Sequence, residues 1–95
     1  MVENVSARAM FGGFGLFQGG VMFALIARGT LYFKVDDANR GAYEDAGMPP
    51  FRYLRGGKTF EMSYWQAPSD VLDDEEEIAA WARDAITAAH RGQSG

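Results

Sequence analysis

Few side chains in this chain could do covalent chemistry. The single histidine, His90, falls in "TAAHRGQSG" at the end of a helical pattern. A relay or a metal site needs partners arranged around such a residue. None lies near His90 in sequence, so its expected role is to place charge at a helix C-terminus. Ser6, Ser63, Ser69 and Ser94 lack the Gly-x-Ser-x-Gly turn that presents a nucleophile. There are no cysteines, which removes disulfides and thiolate metal sites. Five consecutive acids, Asp73–Glu77, suggest a cation site. Calcium loops, however, space their oxygens and include a turn glycine. A run of acids at a helix start is explained by the helix dipole and by solvation. No catalytic residue, metal ligand or cofactor is expected.

The stretch "MFGGFGLFQGG", residues 10–20, holds five of the twelve glycines. A P-loop needs Lys-Ser/Thr after its glycines. A dinucleotide fingerprint runs from a strand into a helix, whose N-terminus holds the anion. Here Gly12, Gly13 and Gly15 lead into another strand pattern. They are expected to strip side chains from one strand, permitting a bulge or close approach of a covering helix.

The remaining candidates surround one turn. Arg52, Arg55 and Lys58 flank Gly56–Gly57, and Tyr64 and Trp65 follow. Tyr43, Tyr53, Tyr64 and Trp65 could line a pocket, and the cations could grip an anionic ligand or an acidic partner. The plainer reading makes the cations guards of a sheet edge and the aromatics core or rim residues.

The elements that must position these residues are read from periodicity. Residues 9–17 read as a strand, with Phe11 and Phe17 on one face and Met10, Phe14 and Leu16 on the other. "QGG" turns into "VMFALIA", apolar on both faces and so central and covered. "RG" turns into "TLYFKV". The expectation is a three-stranded antiparallel meander. Asp36 or Asp37 could cap a short helix with a thin apolar face of Ala38, Ala42, Tyr43 and Ala46, stopped by Gly47 and Pro49–Pro50. Residues 51–55 and 59–66 read as a second hairpin, with Phe60, Met62 and Tyr64 on the buried face and only Trp65 apolar on the wet one. Last, Ile78, Trp81, Ala82, Ala85, Ile86 and Ala89 form an amphipathic stripe. Asp73 is the expected N-cap, with Glu76 completing a capping box. The fold class is α+β: one domain over residues 1–95, with 1–7 and 92–95 expected to be flexible.

Bulk numbers limit function further. Ninety-five residues suffice for one modest core, and 47% apolar content is globular. No apolar run approaches the ~20 residues of a membrane span, and the N-terminus carries no signal-peptide core. A cytoplasmic location is the expectation. Net charge is −4. Residues 1–64 carry seven Lys/Arg against six Asp/Glu, and residues 65–95 two against seven. A protein built to grip phosphate backbones is usually basic, so strong nucleic-acid binding is not expected.

The chain resembles the TfoX/Sxy N-terminal domain family. The resemblance rests on Met10-Phe11-Gly12-Gly13, Leu31-Tyr32-Phe33-Lys34-Val35-Asp36, Pro50-Phe51-Arg52-Tyr53, Met62-Ser63-Tyr64, Pro68 and Trp81, and covers residues 8–91. It implies a small α+β fold like that of the YjbR-type proteins. It also implies a link to natural competence in bacteria, where full-length TfoX proteins act as co-regulators with the cyclic-AMP receptor protein. The helix that family members usually carry before the Met-Phe-Gly-Gly strand has only about nine residues of room here, and the helical C-terminal domain is missing. The expectation is a stand-alone N-terminal domain, with self-association as one way to cover the exposed apolar face. The family offers no catalytic residues to transfer.

The function expected from the residues and the resemblance together is a non-enzymatic regulatory domain acting by protein contact, with transcription machinery or a second copy as partner. The alternatives are a small anionic-ligand-binding domain at Arg52, Arg55, Lys58, Tyr64 and Trp65, and weak DNA binding through residues 1–64.

Overall fold

Tight turns between strands organise the sheet. The structure, a computed structural model, describes residues 4–10 and 12–94. Arg28 and Gly29 both take positive φ, 52° and 77°, and leave Ala27 paired directly with Thr30. Two central residues of that handedness make the type I′ turn that suits the twist of a hairpin. Gly19–Gly20 and Gly56–Gly57 repeat the geometry. The strands so joined are β1 (Val5–Met10), β2 (Gly13–Gln18), β3 (Val21–Ala27), β4 (Thr30–Lys34), β5 (Pro50–Arg55) and β6 (Lys58–Gln66). They form one antiparallel sheet in the order β1-β2-β3-β4-β6-β5. Helix α1 (Arg40–Asp45) bridges β4 and β5, and α2 (Ser69–Leu72) and α3 (Glu75–Ser94) follow β6.

The α+β class stands, but the meander has four strands where three were expected. Residues 5–10 form β1, paired in unbroken register from Val5↔Gln18 to Met10↔Gly13. The single strand expected over 9–17 is therefore the end of β1, a turn through Gly12 (φ +73°) and β2. Phe11, assigned to one face of that strand, lies outside the described residues. The turn also reverses Met10 relative to Phe14 and Leu16. Met10 now shares a face with Gly13 and Gly15.

Strand β3 is apolar on both faces because each face feeds a hydrophobic cluster, and a bulge shifts its alternation. Leu16 pairs with Ala24 and Phe17 with Met22, leaving Phe23 as the extra residue. A bulge shifts side-chain alternation. Val21, Phe23 and Ala24 all join the cluster beneath the helices, whereas Met22, Leu25 and Ala27 join a second cluster on the other face. Every member of the expected stripe of α3 packs into the first cluster: Ala82, Ala85 and Ala89 in its centre, with Ile78, Trp81 and Ile86 around them. Helix α3 thereby lies across β3 and β4.

The helix ends differ in detail from expectation. Asp74, not Asp73, caps α3: its Oδ1 accepts from Glu76 N at 2.9 Å and Glu77 N at 3.1 Å. Asp73 is already used as the C-terminal cap of α2, which shifts the start of α3 by one residue. Helix α1 begins at Asn39, with no side-chain cap. Asp36 instead accepts from Ala38 N, and Asn39 clasps Asp36 N and Lys34 O, so these side chains shape the entry loop. Ala38, Ala42 and Ala46 are exposed; Tyr43 alone anchors this helix in the core.

Candidate functional site

The sheet face turned away from α3 carries the most unusual surface. Its centre is Leu25, Ala27 and Tyr64, against which Met10, Met22, Tyr32, Phe51 and Met62 pack. No helix residue belongs to this cluster. Tyr64 ties it together, donating from its hydroxyl to Met22 O at 3.1 Å. Burial pushes its pKa up to about 12, so the donor keeps its proton at ordinary pH.

An aromatic row extends this face along β5 and β6. Tyr32 meets Phe51 edge-on, with centroids 5.0 Å apart. Phe51 stacks on Tyr53 at 6.3 Å and Tyr53 on Phe60 at 5.6 Å. Phe60, expected to be buried, is 42% exposed, because β6 runs beyond the end of β4 and nothing covers it there. Beside the row lies an open groove of about 800 Å³, lined by Ala27, Arg28, Tyr32, Phe51, Tyr53 and Leu54 among others. Leu54 at its rim is 77% exposed.

Cations decorate the same layer. Arg8 lies 4.9 Å over the Phe17 ring, and Lys34 Nζ lies 5.4 Å over Tyr64. Residues 4–34 and 50–66, the strands and their hairpin turns, carry six Lys/Arg against Glu61 alone. Residues 35–49 and 67–94, which hold the helices, carry three against eleven acids. The domain is therefore a slab with a basic strand layer and an acidic helix layer. A division by sequence halves hides this, because the acids around α1 interrupt the strand segments.

The five residues singled out from sequence do not converge. Arg52 lines the groove while its Nε donates to Glu61 Oε2 at 3.1 Å. Arg55 and Lys58 flank the turn at the hairpin tip, exposed. Tyr64 is in the floor of the face. Trp65 points to the opposite side, as its neighbour in a strand must, and packs on Tyr43 beneath the helices. Sequence reasoning missed Arg28, Tyr32 and Phe51, whereas Tyr53, one of the four aromatics expected to line a pocket, does line the groove. The alternation of Phe51 and Tyr53 along one strand was the available signal.

The other candidates have structural partners. His90 Nε2 donates to Gln18 Oε1 at 2.7 Å, linking α3 to β2. The Gly12–Gly15 segment approaches strand β3, not a helix: a Cβ on Gly13 would lie 1.7 Å from Ile26 O, and one on Gly15 2.7 Å from Met22 Sδ. Among the described residues no three His, Cys, Asp or Glu side chains gather to hold a metal ion, and no helix is long and apolar enough to cross a membrane.

The architecture defines a small α+β domain that presents one sheet face. The model of the TfoX N-terminal domain family matches residues 1–89, and the chain belongs to that family. No curated protein matches it.

Proposed function

We propose that this chain is a non-enzymatic regulatory domain that acts by protein contact through the uncovered face of its sheet. The observation that carries this reading is that half-buried aromatic and methionine side chains, with Leu54 and Phe60 exposed beside them, are paired with a basic strand layer, opposite a helix layer that is already packed. Large rings and arginines are the residues that anchor protein interfaces. The shifted titrations have structural causes: burial for Tyr43 and Tyr64, mutual pairing for Asp36 and Arg91. The reading takes transcription machinery as the partner class, in keeping with the resemblance to TfoX co-regulators.

The test is affinity capture from the native cell with the full chain as bait, beside a Phe60→Asp variant. Recovery of a transcription component by the wild type and its loss in the variant is the expected result. Recovery of the bait alone would reject the reading.

A second reading, self-association, is favoured by the β1 edge. Val5 and Phe14 are 43% and 51% exposed, and β1 has no partner beyond β2. A free sheet edge, guarded here by Arg8 alone among charged side chains, can pair with another chain. A concentration-independent monomer mass in light scattering would exclude it.

A further inference from the structure

We propose that the groove between the β3–β4 turn and the β5–β6 hairpin is a recognition slot for an acidic peptide segment that inserts one large apolar side chain. This deepens the reading above by naming the chemistry of the partner.

Three features define the slot. The first is an apolar wall: Ala27, Tyr32, Phe51 and Tyr53, with Leu54 77% exposed at the rim. Its volume of about 800 Å³ is within the ~300–1,000 Å³ of ligand sites. The second is an available cation. Arg28 is the only residue besides Asn4 that takes positive φ without being glycine among the described residues, and no carboxylate among them pairs with it. It stands in the two-residue β3–β4 turn and lines the groove, exposed. The third is the surrounding potential. Arg55 and Lys58 stand at the hairpin tip, and the strand layer holds a single acid, Glu61, already paired to Arg52. Complementary potential steers an acidic segment to this layer and away from the helix layer.

The ring geometry chooses a peptide over single-stranded nucleic acid. Base recognition on a sheet uses open ring faces as stacking platforms. Tyr53 already packs against both Phe51 and Phe60, with centroids 6.3 and 5.6 Å away, so the rings of the row are engaged with one another. Such a row suits aliphatic and aromatic side chains. The eleven acids of the helix-bearing segments also oppose a long polyphosphate.

The experiment pans a phage-displayed random dodecapeptide library against the immobilised full chain, then measures the enriched peptide by fluorescence anisotropy. The expected consensus is net acidic with one large apolar residue. Its Kd should weaken at least fivefold in Arg28→Asp, which reverses the charge with a residue that tolerates positive φ, and should not change in Arg83→Asp on α3. Tyr53→Ser, checked for folding by circular dichroism, should weaken it further. A basic consensus, no enrichment, an unchanged Kd in Arg28→Asp, or tighter binding of a twelve-residue oligothymidine would each overturn the proposal. A cellular partner retained equally by wild type and Arg28→Asp would overturn the slot while leaving the protein-contact reading intact.

Discussion

The two faces of the sheet are closed by opposite means. Beneath the helices the contact is made of small side chains: Ala24 from β3, Ala67, and Ala82, Ala85 and Ala89 from α3, set among Phe23, Phe33 and Tyr43. Alanine has no side-chain freedom to lose and lets backbones approach, so this side is tight and rigid. The other face is closed by Met10, Met22 and Met62 with tyrosine and phenylalanine rings, and no second layer lies over it. Methionine adapts its shape at low cost and is favoured where a surface must accommodate partners. One side of a single sheet therefore holds the fold, and the other stays adjustable for contact.

Within the open face itself, the neighbours of Gly13 and Gly15 differ in how far they can yield. In Gly13→Ala the new Cβ would lie 1.7 Å from Ile26 O, a backbone atom of the paired strand that cannot withdraw without breaking the ladder. The expected loss is about 3 kcal/mol or more, a large part of the stability of a small domain. In Gly15→Ala the Cβ meets Met22 Sδ at 2.7 Å and Met10 Sδ at 2.9 Å, both on flexible side chains. The expected loss there is about 1 kcal/mol. Urea unfolding of the two variants measures both, and equal losses would contradict the distinction between fixed and yielding neighbours.

The next effect compares the two faces directly. Ala85 is fully buried between α3 and the sheet. Ala85→Leu should cost about 1–3 kcal/mol by overpacking, whereas the volume-conserving Met62→Leu should cost less than about 1.5 kcal/mol. A Met62→Leu loss larger than that of Ala85→Leu would mean that the open face is the rigid one.

Two tyrosines give a smaller contrast, of opposite sign. Tyr43 is buried among Trp65 and Trp81, and its hydroxyl has no hydrogen-bond partner among the described residues. Burial, then the nearby Asp84 charge, raises its pKa. Tyr43→Phe should raise stability by about 1 kcal/mol, since an unsatisfied buried hydroxyl is removed. Tyr64→Phe should lower it by about 1 kcal/mol, since the bond to Met22 O is lost. The pKa of Tyr64, about 12 against an ordinary 10, also sets a pH dependence. The folded state holds this proton more tightly, so the stabilisation is complete below pH 10 and is lost as pH rises toward 12. Thermal melts of wild type and Tyr64→Phe should converge as pH rises above 10 and then cross, the variant being the more stable near pH 12.

Much of this was legible in the sequence. The stripe of α3 was readable because six apolar positions repeat at helical spacing. The second hairpin was readable because Gly56–Gly57 separates two strand patterns, and Phe51 and Tyr53 alternate. Strand β1 was not, because the apolar residues of "VSARAM" are mostly small and an exposed edge strand has no buried face to impose a strong alternation. The bulge at Phe23 was hidden as well. An all-apolar strand looks the same whether its alternation is continuous or shifted. For the candidate site, Arg52 and Tyr64 were visible, but Arg28 sits in a turn 24 residues before Arg52. Only the sheet order brings them to one groove.

The smallest expected effect belongs to neither face but to the hinge between the layers. Arg91 Nε, near the end of α3, donates to Asp36 Oδ2 at 2.7 Å in the loop after β4. The hydrogen bond from Arg91 holds the Asp36 carboxyl below its ordinary 3.8, opposed by burial and helped by the Ala38 backbone N–H. A depressed folded-state pKa means that the contribution is present above the ordinary value and is lost as pH falls through the lower, folded one. Arg91→Gln should therefore cost a little stability at neutral pH and nothing once Asp36 is protonated in both states. Both partners are solvent-accessible, so added salt should shrink the difference. Paired urea titrations at neutral and strongly acidic pH measure this. A difference that persists at acidic pH would show that Arg91 acts through the packing of its alkyl stem on α1 and α3, and not through the charge that links the two layers.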